Sequence, residues 1–484
     1  MGQPSVKKNF ILSTVFQVIS MIAPFVTAPY VSRVLGADGV GIYSYTSSLQ
    51  YYFAMFAALG TNTYGAREIA RARNDEDKRS QLFWEIEALT AITTIVCSVV
   101  WICVSLLQKQ NQMYYLILTL NVWAVFWDIS WLYAGLEHFE HAVLQNTFFK
   151  LLGIICIFAF VKVKDDLPIY MVILSLSILL GNVSMWIYLP KYVKRVKLSQ
   201  IRLMRHFKET CIYFLPTLAT SIYTMLDKSL IGLITKDNFQ NGYYEQATKI
   251  VNMAKMLCFA AINSAQGARI SFLFAENKLE EVKQRIDQSI SYIFFMGIGI
   301  WFGMIGVAPK FVPWFFGKEY GPAVFLLYIF APISLIIGIS NCLGSHYYTP
   351  AGLRAQSTKF LIVGSVINFI LNCILIPVWG GNGAAIASVV AELVITILYL
   401  KYCKGYLTVK QLFIHTWKKI IAGLIMLLVI IGINVVIDDY FFAITLDLCL
   451  GSTIYMCVLA FMHDSFIEVL LGLLRRKKDR GQYG

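Results

Sequence analysis

Six basic residues, Arg33, Lys150, Lys228, Lys249, Lys255 and Lys359, fall inside or at the ends of long apolar runs in this sequence. Four acids do the same: Asp128, Asp227, Glu245 and Glu392. A charge at the centre of a bilayer-spanning helix costs roughly 2.5–3.5 kcal/mol to insert. Each must therefore be met by a partner, by water or by a ligand. Buried lysines suit an anion such as a phosphate. A carboxyl in low dielectric holds its proton unless it is paired, which suits proton binding or sodium coupling.

The spacing of these charges narrows their roles. Asp227 and Lys228 are adjacent in "TSIYTMLDKSLIGLIT" (220–235) and diverge by about 100° round a helix. They are not a self-contained pair, so at least one answers to another helix, to water or to a ligand. Lys249 follows Glu245 by one turn, in the acid-then-base order that supports a helix. A structural ion pair and an anion-binding lysine are both open there. Lys249 and Lys255 diverge by about 240°, so both cannot point into one cleft. Asp227 is a candidate partner for Lys249 or Lys150. Arg33 and Lys150 also suit snorkelling to an interface. Arg67 and Arg269, at helix ends, serve as anchors or meet an arriving anion.

The elements that must position these residues are transmembrane helices. Of 484 residues, 58% are hydrophobic and 14% charged, against about 25% charged in an average soluble domain. The apolar residues come in blocks of about 20, enough for a helix to cross some 30 Å of hydrocarbon. Fourteen spans are expected near 10–35, 40–62, 84–107, 113–134, 142–161, 168–189, 210–235, 242–262, 287–308, 323–343, 358–378, 382–400, 418–437 and 443–463. The first carries no small-residue cleavage site and reads as a retained span. The ten cysteines show no C-x-x-C and no clustered His, so neither disulfides nor metal sites are indicated. The formal charge of +13 gathers in the loops that are inner if the N-terminus is inside. Topology and anionic lipid account for it, leaving no call for nucleic acid. Both termini are expected in the cytoplasm.

An internal repeat organises the spans. "GIYSYTSS" (41–48) and "GYYEQATK" (242–249) start 201 residues apart, and "YGAREIA" (64–70) aligns with "QGARISF" (266–272) at nearly the same offset. The spans before them share a mid-span proline (Pro24, Pro216) and a late glycine (Gly36, Gly232). The expected organisation is a six-helix bundle at 1–200, its repeat at 201–402, and two further helices with a basic tail at 403–484. Six is even, so both copies enter the membrane in the same sense, about an axis along its normal. Two such bundles would face each other across a cleft and rock in alternating access. Pro24, Pro29 and Pro216 are expected to bend spans 1 and 7.

Five segments fall in order along the chain: "VSRVLGADGVGIYSY" (31–45), "GAREIARARND" (65–75), "WLYAGLEHFEH" (131–141), "LDKSLIG" (226–232) and "NCILIPVWGGNGAAIASVVAE" (372–392). Together they resemble bacterial polysaccharide flippases, exporters of O-antigen and capsule repeat units. These belong to the superfamily of multidrug/oligosaccharidyl-lipid/polysaccharide exporters, which shares the multidrug-and-toxin-extrusion fold. The resemblance covers nearly the whole chain. It implies an all-α polytopic protein, not an enzyme and without a cofactor, that turns a polyprenyl-diphosphate-linked oligosaccharide from the inner to the outer leaflet. It also implies a bacterial inner or plasma membrane location, contact with membrane lipids, and a polysaccharide polymerase and glycosyltransferases as partners. Spans 1, 2, 7 and 8 would line the cleft.

The residues agree with that substrate. Lys228, Lys249 and Lys255, with Arg67 and Arg269 at the inner ends, supply cations for the diphosphate. Gln17, on a stripe with Ser13 and Ser20, and Tyr51, beside Ser47, Ser48 and Gln50, offer a sugar-facing wall. Helix–helix hydrogen bonding is the other reading of those hydroxyls. Asp128, Asp227, Glu245 and Glu392 are the candidates for proton or sodium coupling. A multidrug exporter of the same fold is the alternative, but its cavity for cationic drugs should hold fewer lysines. A membrane polymerase would need a large extramembrane loop, and no G-x-x-x-x-G-K-[ST] phosphate loop occurs.

Overall fold

A computed structural model describes residues 6–197, 199, 201–468 and 470, with side chains from residue 22 onward except 139, 141, 216, 219–224, 260, 261, 264 and 265. Among the described residues the regular structure is helical throughout. In chain order the helices are α1 (Val6–Ala58), α2 (Thr61–Arg71), α3 (Glu76–Leu107), α4 (Gln112–Ile117), α5 (Thr119–Phe126), α6 (Ser130–Leu136), α7 (Phe139–Phe160), α8 (Leu167–Met185) and α9 (Met204–Thr235). They continue as α10 (Asn238–Ala275), α11 (Leu279–Phe315), α12 (Ala323–Phe330), α13 (Ile333–Leu343), α14 (Arg354–Trp379), α15 (Gly381–Tyr402), α16 (Val409–Val436) and α17 (Tyr440–Phe461).

Ten helical stretches among the described residues are long and apolar enough to cross a membrane. They coincide with expected spans 3–6 and 9–14, so the chain is a multi-pass membrane protein. The four expected spans outside that set, 1, 2, 7 and 8, lie in α1, α9 and α10. Their helices also overrun the sequence boundaries: α10 extends from Asn238 to Ala275 rather than from 242 to 262.

Pro24 and Pro29 lie inside α1, and the departure from helical dihedrals is at Gly36 (φ 69°, ψ 178°). Gly36 thus joins spans 1 and 2, its left-handed φ being accessible to glycine at low cost. The matching turn after α9 is at Lys236 (φ 53°), 200 residues on, whereas Gly232 is an interior helical position against the Tyr45 ring. The Pro216 side chain lies outside the described residues.

By packing, the chain forms two compact units, Met1–Gly242 and Tyr243–Gly484. This is a division by contact, distinct from the sequence repeat at 200/201, and it assigns α9 to the first unit. In that unit one core gathers Val31, Leu35, Trp101, Leu118, Val122 and Met171. Its polar tips are satisfied by backbone: Trp101 Nε1 donates to Tyr115 O at 3.0 Å and Tyr30 OH to Val161 O at 2.6 Å. A second core joins Ile69, Phe83, Trp131 and Tyr133. In the second unit, α11 packs Ile290, Ile293 and Ile298 against Leu335, Ile339 and Ile395. The appended α16 and α17 close on α11. Ile430 lies 2.7 Å from where a Gly306 side chain would begin, and the buried Lys419 Nζ bonds Asp464 Oδ2 at 2.8 Å. Outward faces stay apolar, as Val99 (56% exposed) and Val435 (78%) illustrate, which is what a hydrocarbon solvent requires.

Candidate functional site

The turn regions fix the charged stretch of α9. A side chain on Gly41 of α1 would overlap the Asn238 carbonyl, and one on Gly242 would overlap the Ala37 carbonyl. Both glycines are therefore needed for direct backbone contact, and Asn238 Nδ2 donates to Asp38 Oδ1 at 3.0 Å beside them. One turn further, with its amide oriented to satisfy both ends, Asn241 donates to the Lys228 carbonyl at 2.9 Å and accepts from Gly232 N–H at 3.0 Å. A regular helix would bond those two backbone groups to each other. A side chain inserted there is a recognised origin of helix bending.

Around this bridge, Asp227 is buried. Ser229 Oγ and Ser48 Oγ are hydrogen-bonded at 2.9 Å, and Lys228 is half-buried. The first unit thus brings Asp227, Lys228 and the hydroxyl-rich part of α1 together. Tyr51, from the same part of α1, is exposed. Gln17 belongs to α1, but its side chain, like those of Ser13 and Ser20, lies outside the described residues.

On α10, Lys249 Nζ sits 3.4 Å from Glu245 Oε1, with the lysine side chain 28% exposed and the glutamate 12%. The i,i+4 pair allowed by the sequence is therefore formed. Lys255, six residues on, is half-buried. Arg269 is exposed, its guanidinium 5.2 Å from the Phe272 ring centre. On α2, Arg67 donates to the Tyr213 hydroxyl of α9 and lies over its ring at 5.5 Å.

The remaining acids differ in setting. Asp128 lies where α5 gives way to α6; it accepts from Ser130 N–H at 3.0 Å and from Asn62 Nδ2 at 3.5 Å. Glu392 is buried in α15. Of the other basic residues, Arg33 and Lys359 are exposed and Lys150 is half-buried.

Two features escaped the sequence reading. Glu85 of α3 and His206 of α9, both essentially unexposed, are joined Oε2 to Nε2 at 2.6 Å. His206 Nδ1 meets Tyr64 OH of α2 at 2.7 Å, and Glu85 Oε1 accepts from Gln81 at 3.0 Å and from Arg202 N–H at 3.1 Å. This cluster ties the start of α9 to α2 and α3. Two residues along α3, Glu87 is 2% exposed and neither carboxyl oxygen has a hydrogen-bond partner among the described protein atoms. The period of buried polar positions along α3 was the available signal for Glu87; nothing local signals the pairing of Glu85 with His206.

Comparisons with known proteins agree with this architecture. A model of the polysaccharide biosynthesis protein family matches residues 6–266. A protein of Escherichia coli K12 named as an O-antigen transporter is 25% identical over 406 residues, covering 83% of this chain and 97% of its own. One from Haloferax volcanii, named as a low-salt glycan biosynthesis flippase, is 25% identical over 217 residues, 44% of this chain and 45% of its own. In fold, the chain is similar to the lipid II flippase MurJ in an inward closed conformation, with TM-score 0.76, 14% identity, and coverage of 95% of this chain and 99% of that one. It is also similar to an inward-facing MATE multidrug resistance transporter, with TM-score 0.58, 13% identity, and coverage of 80% and 97%. The multidrug-and-toxin-extrusion-like fold expected from the sequence is the one found.

Proposed function

This chain belongs to the polysaccharide biosynthesis protein family, and from that membership we propose that it is a lipid-linked oligosaccharide flippase. It moves polyprenyl-diphosphate-linked repeat units from the cytoplasmic to the outer leaflet of a bacterial plasma membrane. The observation that carries the reading is the correspondence with almost the full length of an O-antigen transporter, in a chain whose α9 and α10 place lysines among apolar residues. All fourteen expected spans cross the membrane in this reading, with both termini in the cytoplasm and the repeats at 1–200 and 201–402 moving in alternating access.

Lys228 and Lys249 are the candidate ligands of the diphosphate, with Lys255 on another face of α10; Arg67 and Arg269 are the candidates to receive it on the cytoplasmic side, and Gln17 and Tyr51 to contact the sugars. The lipid tail stays in hydrocarbon. The Glu245–Lys249 pair supports a specific exchange. A phosphate that takes Lys249 leaves Glu245 without its cation, and an uncompensated carboxylate in low dielectric recruits a proton or sodium ion. Asp128, Asp227 and Glu392 are further coupling candidates. Lysines at these positions disfavour the cationic substrates of a multidrug exporter. Glycosyltransferases that build the repeat unit and a polymerase that consumes it are the partners this activity requires.

The test is rescue. Cells lacking their own repeat-unit exporter should regain surface glycan when they express this chain with its cognate glycosyltransferases. Accumulation of lipid-linked repeat units on the cytoplasmic leaflet, with the chain present in the membrane at normal level, would end the reading.

A further inference from the structure

Glu87 is an unusual carboxyl for a spanning helix. It lies in α3, 2% exposed, with both oxygens lacking a protein hydrogen-bond partner among the described residues. An ionised carboxylate so placed, without a cation, would bear the full penalty of burying a charge. Asp128 spends its own oxygens on Ser130 N–H and Asn62 and is not a counter-ion. Of the titratable groups on packed elements, Glu85 and Tyr64 bond His206 of α9, Glu68 of α2 pairs with Arg71, and Tyr52 of α1 has its hydroxyl buried without a protein partner among the described residues.

Glu87 is also the inner end of a line. Thr90, Thr94, Ser98 and Ser105 follow at helical spacing, all buried. Thr90 and Ser105 bond their own helix at 3.1 and 2.8 Å, while the hydroxyls of Thr94 and Ser98 have no protein partner. At 1.5 Å per residue the line runs along most of a bilayer's thickness. Elements packed on α3 add further unpartnered buried groups, the Gln50 amide nitrogen of α1 and the Thr119 hydroxyl and Asn121 carbonyl oxygen of α5.

The geometry points to Glu87 as a proton-binding coupling residue, served by the buried polar line along α3. Each transport cycle binds one proton at the Glu87 carboxyl and releases it, without any bond change in the substrate. The inference rests on the flippase reading for what the proton drives, but proton binding at Glu87 stands apart from it.

Two measurements on the full-length protein test this. In proteoliposomes carrying a fluorescent polyprenyl-diphosphate oligosaccharide, flipping is followed with and without an imposed pH difference. The ratio of the two rates should differ from unity in wild type and in Glu87→Asp and should collapse to unity in Glu87→Gln. A wild-type ratio retained in Glu87→Gln, or a wild-type ratio of unity, overturns the inference. Independently of substrate, infrared difference spectra on raising the pH should contain a protonated-carboxyl band that Glu87→Gln lacks. Its persistence in Glu87→Gln also overturns the inference. If wild type flips no lipid-linked sugar yet the band is present and assigned to Glu87, the flippase reading fails while proton binding holds.

Discussion

Gly41 and Gly242, 201 residues apart in the sequence, meet backbone to backbone: a side chain begun at Gly41 would lie 3.0 Å from the Gly242 nitrogen. The contact is reciprocal. Gly41 faces the Asn238 carbonyl and Gly242 faces the Ala37 carbonyl, and Ala37 and Asn238 are themselves 201 residues apart. Such an exchange of partners, each pair 201 residues apart, is the pattern a two-fold relation gives.

Side chains at this contact should not be tolerated. Overpacking a close contact costs typically about 1–3 kcal/mol, and backbone cannot rotate aside as a side chain can. Gly41→Leu and Gly242→Leu should each lower the thermal unfolding midpoint in detergent and the yield of folded protein. Gly432→Ala, where nothing lies within 4 Å, should be neutral or slightly stabilising. Equal behaviour of all three would remove the contact from the account.

The Glu85–His206–Tyr64 cluster should be worth most when one member is lost. Removing one partner of a buried pair costs about 3–5 kcal/mol because the other stays buried and uncompensated. Glu85→Ala should therefore unfold at markedly lower temperature. Glu85→Gln should lose less, since its amide oxygen still accepts from Arg202 N–H. Circular dichroism melts of the two variants decide it.

Lys419 and Asp464 allow the same logic with a double change. Lys419→Ala alone should destabilise by about 3–5 kcal/mol, whereas Lys419→Met with Asp464→Leu should recover most of that loss. The exposed Lys283–Glu280 pair, with side chains 40% and 87% exposed, is the contrast. Lys283→Ala should shift stability by no more than about 0.5 kcal/mol.

Much of this was legible in the sequence for physical reasons. Spans 3–6 and 9–14 announce themselves because hydrocarbon demands unbroken apolar length. The Glu245–Lys249 pair was readable because i,i+4 is a local relation. The turn at Gly36 was readable from the end of the apolar run at residue 35, where a left-handed φ needs glycine. Glu85 and His206 stand 121 residues apart, and one-dimensional spacing holds no record of such a pair. Glu87 hid beside Glu85 in "WEIEAL", where two acids near an inner helix end look alike until packing separates them.

Charge exchange at α10 gives a prediction of its own. Lys249→Ala should weaken binding of a lipid-linked diphosphate sugar while leaving an undecorated polyprenol unaffected. Glu245→Gln should instead tighten diphosphate binding, because Lys249 no longer has to leave a carboxylate. Affinities measured by fluorescence anisotropy that move together in both variants would contradict the exchange.

The central claim is tested most directly by reconstituting the purified chain in liposomes with a fluorescent polyprenyl-diphosphate oligosaccharide and following its exposure to an impermeant quencher. The account predicts that the protected inner-leaflet fraction becomes accessible in liposomes containing the protein and stays protected in empty ones. Lys228→Ala and Lys249→Ala should slow that exposure. Identical protection with and without correctly folded protein would contradict it.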